Sequence, residues 1–209
     1  MCTGSAASAT DKACVFMQIA AILLAAGSSV RFGRDKLFVT YKGRELYAHA
    51  LSALCASSCI DEVVVVVRPC FAIPRGWPRC RFVVNPDHAE GMGSSLRTGI
   101  GATAADTNAF LIALADMPEV TSGLVDALVA EFRNGEKKII IPVCRGRRGH
   151  PVVVSGKLRS ALLACGGDMG ARQLVHDHLE MVGHFVTENE AVLFDVDMPD
   201  DMLATNSRA

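Results

Sequence analysis

The chain has 209 residues, half of them hydrophobic and 21% charged, with a formal net charge of -1. That length fits one domain around one core, and the near-neutral balance offers no electrostatic handle for nucleic acid or a membrane surface, which leaves a small molecule as the expected partner. The eight cysteines are scattered without a C-x-x-C pair or zinc-type Cys/His spacing, so they read as reduced thiols of a cytoplasmic protein rather than a disulfide framework.

Residues 1–17 read as a flexible extension. The apolar run over 13–26 lacks the basic start of a secretory signal, since Lys12 is cancelled by Asp11, and it is shorter than the ~20 residues a spanning helix needs. Residues 18–26 form a continuous apolar run ended by a Gly/Ser turn, the mark of a strand buried on both faces of a parallel sheet. The runs 62–68 (EVVVVVR), 81–85, 109–115 (AFLIALA) and 138–143 read the same way. Helical patterns at 46–57, 95–105 and 122–132 lie between most of them, and Cys55 and Cys59 fall one turn apart on the first, where a small apolar packing role is the ordinary one. Beyond Gly149 come a short strand at 151–155, helices near 157–164 and 171–178, and late strands at 183–186 and 192–195. Strand and helix alternating in this way predict an α/β fold, a doubly wound, mostly parallel sheet in a single domain over 18–209.

In such a sheet, ligands bind beyond the carboxyl ends of the strands. The first segment there is Leu24-Ala25-Ala26-Gly27-Ser28-Ser29-Val30-Arg31-Phe32-Gly33-Arg34-Asp35-Lys36. Small residues let a phosphate approach the backbone, exposed amides donate, and Arg31 and Lys36 add positive charge. It is neither a Walker loop nor G-x-G-x-x-G, and on composition alone an ordinary glycine turn with solvated charges fits equally well. The second is Asp116, which ends the run 109–115 and is placed to hold a hard cation such as Mg2+ through one oxygen, with phosphates and water completing the shell; in isolation a turn or capping Asp before Pro118 is the commoner role. The third is Asp195 and Asp197, which flank Val196 and point to one side of an extended segment, where they can complete a metal site. Asp200 and Asp201 read as caps of the last helix. The fourth group comprises Gly93, Ser94 and Ser95, which open a helix towards the ligand or simply cap it, together with Arg147-Arg148-Gly149-His150-Pro151 and Gly166-Gly167-Asp168-Met169-Gly170-Ala171-Arg172. From its residue type alone His150 is more often structural.

The string LAAGxSxRFGxxK resembles the signature loop of the MobA-like nucleotidyltransferases, and most of all the molybdenum cofactor cytidylyltransferases. The likeness runs from Gln18 to Met202. It implies a Rossmann-like nucleotidyltransferase fold and Mg2+-dependent transfer of a nucleoside monophosphate, CMP from CTP, to a phosphate-bearing pterin acceptor, the molybdenum cofactor. By that resemblance Leu24, Ala25, Ala26, Gly27, Ser28, Ser29, Arg31, Lys36, Gly93, Ser94 and Ser95 meet the nucleotide, with Arg31, Lys36 and Asp116 catalytic. Asp116, Asp197 and Asp195 are the implied metal ligands; the late motif is similar to D-I-D-T-P-E-D, with Met198 in place of Thr. The GHP and GDxGAR segments imply that Arg148, His150, Asp168 and Arg172 read the acceptor, and a transient contact with a molybdenum enzyme or its chaperone is implied as well. Guanylyl or sugar-phosphate transfer on the same fold, and a non-catalytic nucleotide-binding module, are the alternatives. The module is disfavoured because the loop and both acidic sites occur together.

Overall fold

The computed structural model describes residues 17–27, 35–77, 79–167, 170–198 and 200–201. In chain order its strands and helices are β1 (Ile19–Ala25), β2 (Thr40–Tyr41), β3 (Arg44–Glu45), α1 (Leu46–Ala56), β4 (Glu62–Val67), β5 (Cys80–Val84), α2 (Met92–Ala102), β6 (Ala109–Leu114), α3 (Ser122–Asn134), β7 (Ile139–Cys144), β8 (Arg147–Arg148), β9 (Val152–Ser155), α4 (Arg159–Ala164), α5 (Ala171–Asp177) and β10 (Val182–Val186). The main sheet runs β10-β7-β9-β6-β1-β4-β5, with β8 attached to β7. Its strands are parallel except for β9, which pairs antiparallel with β6 and β7, and the short β8.

The apolar runs are continuous because both faces of the sheet are covered. Ile19, Ala21 and Leu23 of β1 pack with Leu51 and Leu54 of α1 and with Leu128 and Val129 of α3. The alternate residues Ala20 and Ile22 face the other way, into Leu96 and Ile100 of α2, Leu162 of α4 and Leu174 of α5. Gly99 of α2 permits the closest approach on that side. A Cβ there would stand 2.5 Å from Ile22 Cγ2 and 2.9 Å from Val66 Cγ2. Gly99→Ala is therefore expected to lower stability by about 1–3 kcal/mol, the cost of overpacking a filled core, read as a lower denaturant midpoint at an unchanged m value.

The strand order also locates the site. From β1 the chain moves outward through α1 to β4 and β5, then returns through α2 to β6 on the opposite flank of β1. Beyond the carboxyl ends of β1 and β6 the chain leaves towards opposite edges of the sheet, to β4 and to β7, and that divergence in strand order opens a crevice.

Three local expectations are corrected. Residues 192–195 form no strand: Glu190–Val192 is a 3-10 turn whose first amides are capped by Asn189, its side chain accepting from Ala191 N at 3.0 Å, and β10 already occupies that sheet edge. Helix α2 begins at Met92 rather than residue 95, because its serine hydroxyls find partners inside the fold. Cys59 lies past the end of α1, and Cys55 instead meets Cys80, Sγ to Sγ at 3.0 Å. The described cysteines are free thiols, and no described helix is long and apolar enough to cross a membrane.

Candidate functional site

A cavity of about 480 Å³ occupies the crevice. Leu24, Ala25, Ala26 and Gly27 come to it from the end of β1, Leu114 and Asp116 from the end of β6, Met92 and Ser95 from the first turn of α2, and Lys36 from a 3-10 turn over Lys36–Phe38. Parallel strands ending together bring the loop and the first Asp side by side, since Leu24 is in register with Leu114. Ser28, Ser29 and Arg31 lie outside the described residues.

Ser94 is buried and turned inward, and its hydroxyl donates to the carbonyls of Asp87 and Gly91 at 2.8 and 2.9 Å. Asn85 Nδ2 donates to both Ser94 Oγ and Ser95 Oγ, at 2.9 and 3.0 Å. The two serines thus fix the start of α2, and of the pair only Ser95 lines the cavity. Gly93 is needed for contact rather than conformation, because a Cβ there would sit 2.7 Å from the carbonyl carbon of Gly166. The start of α2 and the Gly166-Gly167 segment therefore touch backbone to backbone.

Lys36 organises the acidic side. Its Nζ lies 2.8 Å from Asp116 Oδ2, 3.0 Å from Asp197 Oδ1 and 2.8 Å from the carbonyl of Val196. Burial works against the ammonium, yet the two carboxylates outweigh it and hold its pKa above the ordinary lysine value. Asp195 and Asp197 do flank a buried Val196 while both remain exposed, and Asp197 is the one that reaches Lys36. Desolvation, then the charges of Asp197 and Asp116, push the Asp195 carboxyl above the usual carboxylate range. The segment is stitched in place by Val196 N donating to Asp116 O at 3.0 Å, and Asp201 Oδ2 accepts from the amides of Asp197 and Met198 at 2.9 and 2.7 Å.

Two buried side-chain atoms among the described residues lack a hydrogen-bond partner, Asp116 Oδ1 and His150 Nδ1. Asp116 lines the cavity, and His150 lies near enough to feel its charge. Burial holds the His150 imidazole below its ordinary pKa, a backbone hydrogen bond with Ile112 and the charge of Asp116 oppose that, and the Arg172 guanidinium adds to it. Burial thus favours the neutral imidazole, which feels the charges of both Arg172 and Asp116. Its backbone N donates to Val192 O at 2.9 Å, which ties the Gly149-His150-Pro151 segment to the strip leading into Asp195. Arg172 sits exposed on α5 and Arg148 exposed on β8, while Asp168 lies outside the described residues.

The pattern of the MobA-like NTP transferase domain matches residues 21–182. The chain belongs to that family. It is 32% identical over 203 residues to nicotine blue oxidoreductase of Paenarthrobacter nicotinovorans, covering 92% of this chain and 97% of that one. To a probable molybdenum cofactor guanylyltransferase of Natranaerobius thermophilus it is 29% identical over 130 residues, 61% of this chain and 62% of that one. The fold is similar to the crystal structure of Rv0371c in complex with manganese from Mycobacterium tuberculosis, with a TM-score of 0.75 and 20% identity over 92% of this chain and 100% of that one.

As a MobA-like nucleotidyltransferase, the chain has a nucleoside triphosphate as its substrate class. The acidic pair has the chemistry of a divalent-metal site: hard oxygens, one of them buried and unpartnered. Among the described residues no three His, Cys, Asp or Glu side chains converge to hold a metal alone. Asp116 and Asp197 share Lys36, and Asp195 stands close enough for their charges to act on its carboxyl group. Few carboxylates plus substrate phosphates is the arrangement magnesium favours. The sequence reading passed over Asn85, and also His88 and Met92, which line the cavity. Asn85 carried one signal, an amide side chain directly after an apolar strand at the carboxyl edge of the sheet.

Proposed function

We propose that this nucleotidyltransferase moves a nucleoside monophosphate from a nucleoside triphosphate to the phosphate of a small acceptor, a pterin of the molybdenum cofactor type, with CTP as the favoured donor and Mg2+ as the metal. The observation that carries this reading is the convergence of Lys36, Asp116 and Asp197 beside the cavity at the carboxyl ends of β1 and β6, with Asp116 Oδ1 buried and without a partner.

A phosphate monoester has a second pKa near ≈ 6 and is largely dianionic at neutral pH. It attacks the α-phosphorus without a general base. One P–O bond forms to the acceptor oxygen, the bond to the β-phosphate bridging oxygen breaks, and pyrophosphate leaves with that electron pair. The work of the protein is to hold two anions in line and to neutralise the transferring group. Asp116 and Asp197 would hold the metal, which when bound supplies charge neutralisation at the α- and β-phosphates. Lys36, beside both carboxylates, would place its ammonium against the triphosphate. Neutral His150 offers a hydrogen bond without adding charge, and Arg172 and Arg148 supply the positive charge on the acceptor side.

The base rests on Ala26. This residue is 2% exposed and lines the cavity, at the place where the family resemblance implies Leu-Ala-Gly-Gly for guanylyltransferases. The extra methyl favours a pyrimidine over a purine, and a change of that size discriminates by about 1–3 kcal/mol. Guanylyl transfer is the second reading, supported by the guanylyltransferase relative. CTP and GTP in competition at equal concentration, with the pterin acceptor, test this. CMP incorporation is expected to dominate and Ala26→Gly to raise the GTP share, whereas GMP as the main product sinks the assignment.

A further inference from the structure

Arg68 follows directly after β4 at the carboxyl edge of the sheet, and the chemistry above leaves it without a role. Its guanidinium forks. Nη1 donates to the carbonyl of Gly27 at 3.0 Å, and Nη2 forms an ion pair with Asp35 Oδ2. Gly27 lines the cavity just past β1. The other oxygen of Asp35 accepts from Leu37 N at 3.3 Å and caps the 3-10 turn that carries Lys36. Val39 N closes that turn on Lys36 O at 3.1 Å. A continuous line of contacts thus runs from the rigid sheet through Arg68 and Asp35 to Lys36, and from there to Asp116 and Asp197.

We propose that Arg68 is a positioning residue that ties the end of β1 to the Lys36 turn and so sets the ammonium between Asp116 and Asp197. A planar guanidinium suits this task because it satisfies two acceptors in a fixed geometry, whereas a lysine reaches one at a time. The Arg68 and Asp35 side chains are 20% and 25% exposed, sheltered enough that salt screens the pair less than a fully exposed one. The kinetic consequence rests on the nucleotidyl-transfer reading; the placement of Lys36 does not.

The test labels the amines of wild type, Arg68→Met, Arg68→Lys and Asp35→Ala with an amine-reactive ester and follows each lysine by peptide mass spectrometry. Released from its carboxylates and more accessible, Lys36 is expected to label severalfold faster in Arg68→Met and Asp35→Ala, with Lys42 unchanged and Arg68→Lys in between. In turnover assays the KM for the triphosphate is expected to rise by a similar factor while the KM for the acceptor holds. Lys36 labelling at the wild-type rate overturns the proposal, as does a joint rise at Lys36 and Lys42, which would mean general loosening. Faster Lys36 labelling in a protein that turns over no triphosphate supports the tie and counts against the nucleotidyl-transfer reading alone.

Discussion

Asp116→Asn is expected to abolish turnover while leaving the fold in place. The substitution keeps the shape of the side chain and the backbone bond from Val196 N, and the pair it breaks with Lys36 is partly exposed, with Asp116 at 22%, so the effect on stability is ~1 kcal/mol or less. The chemistry loses far more. An amide oxygen carries no formal charge, and one metal-centred charge contribution is worth several kcal/mol in such sites. Initial rates at saturating divalent metal, together with a melting curve, check this. A variant that keeps more than about a tenth of the wild-type rate, a loss of only ~1.4 kcal/mol, would remove Asp116 from the required set.

Lys36→Met is expected to give the second largest loss and a diagnostic gain. Losing a hydrogen bond to a charged partner is worth about 1.5–3 kcal/mol, roughly a tenfold to hundredfold fall in rate. In the ligand-free protein the same ammonium sits between Asp116 and Asp197, where it competes with any divalent cation. With it gone the carboxylates face each other unneutralised, so Mn2+ is expected to bind more tightly in the absence of triphosphate. Electron paramagnetic resonance titration of free Mn2+ measures this directly. The controls are Lys42→Ala and Arg44→Ala, whose side chains pair with Glu119 and Ser52 on the surface and whose loss is expected to leave the rate near wild type. If Lys36→Met behaves like them and its Mn2+ affinity is unchanged, the placement of the metal is wrong.

The sheet was legible because its strands are buried on both faces and therefore carry uninterrupted apolar runs: Ile19–Ala25, Glu62–Val67, Ala109–Leu114 and Ile139–Cys144 each fall within a residue or so of the run that announces them. Asp116 was legible for the same reason, as the first carboxylate beyond such a run. The Glu190–Val192 turn was not, because a short apolar stretch has the same pattern whether it pairs as a strand or curls against an occupied edge. Long-range partners were invisible too. That Lys36 meets Asp197, 161 positions later, that Arg68 spans Gly27 and Asp35, and that Ser94 spends its hydroxyl inside the fold depend on which strands stand side by side, and single-residue patterns carry no trace of that. Gly93 was read as meeting the nucleotide, and the structure adds a packing requirement no local pattern shows, the Gly166 backbone set against it.

The most direct test of nucleotidyl transfer at the Lys36, Asp116 and Asp197 site is pyrophosphate release by the purified protein, measured across the common nucleoside triphosphates and a set of phosphorylated acceptors, with and without divalent metal. Pyrophosphate is expected only when triphosphate, acceptor and metal are all present, and not from Asp116→Asn. No pyrophosphate from any combination would contradict the reading.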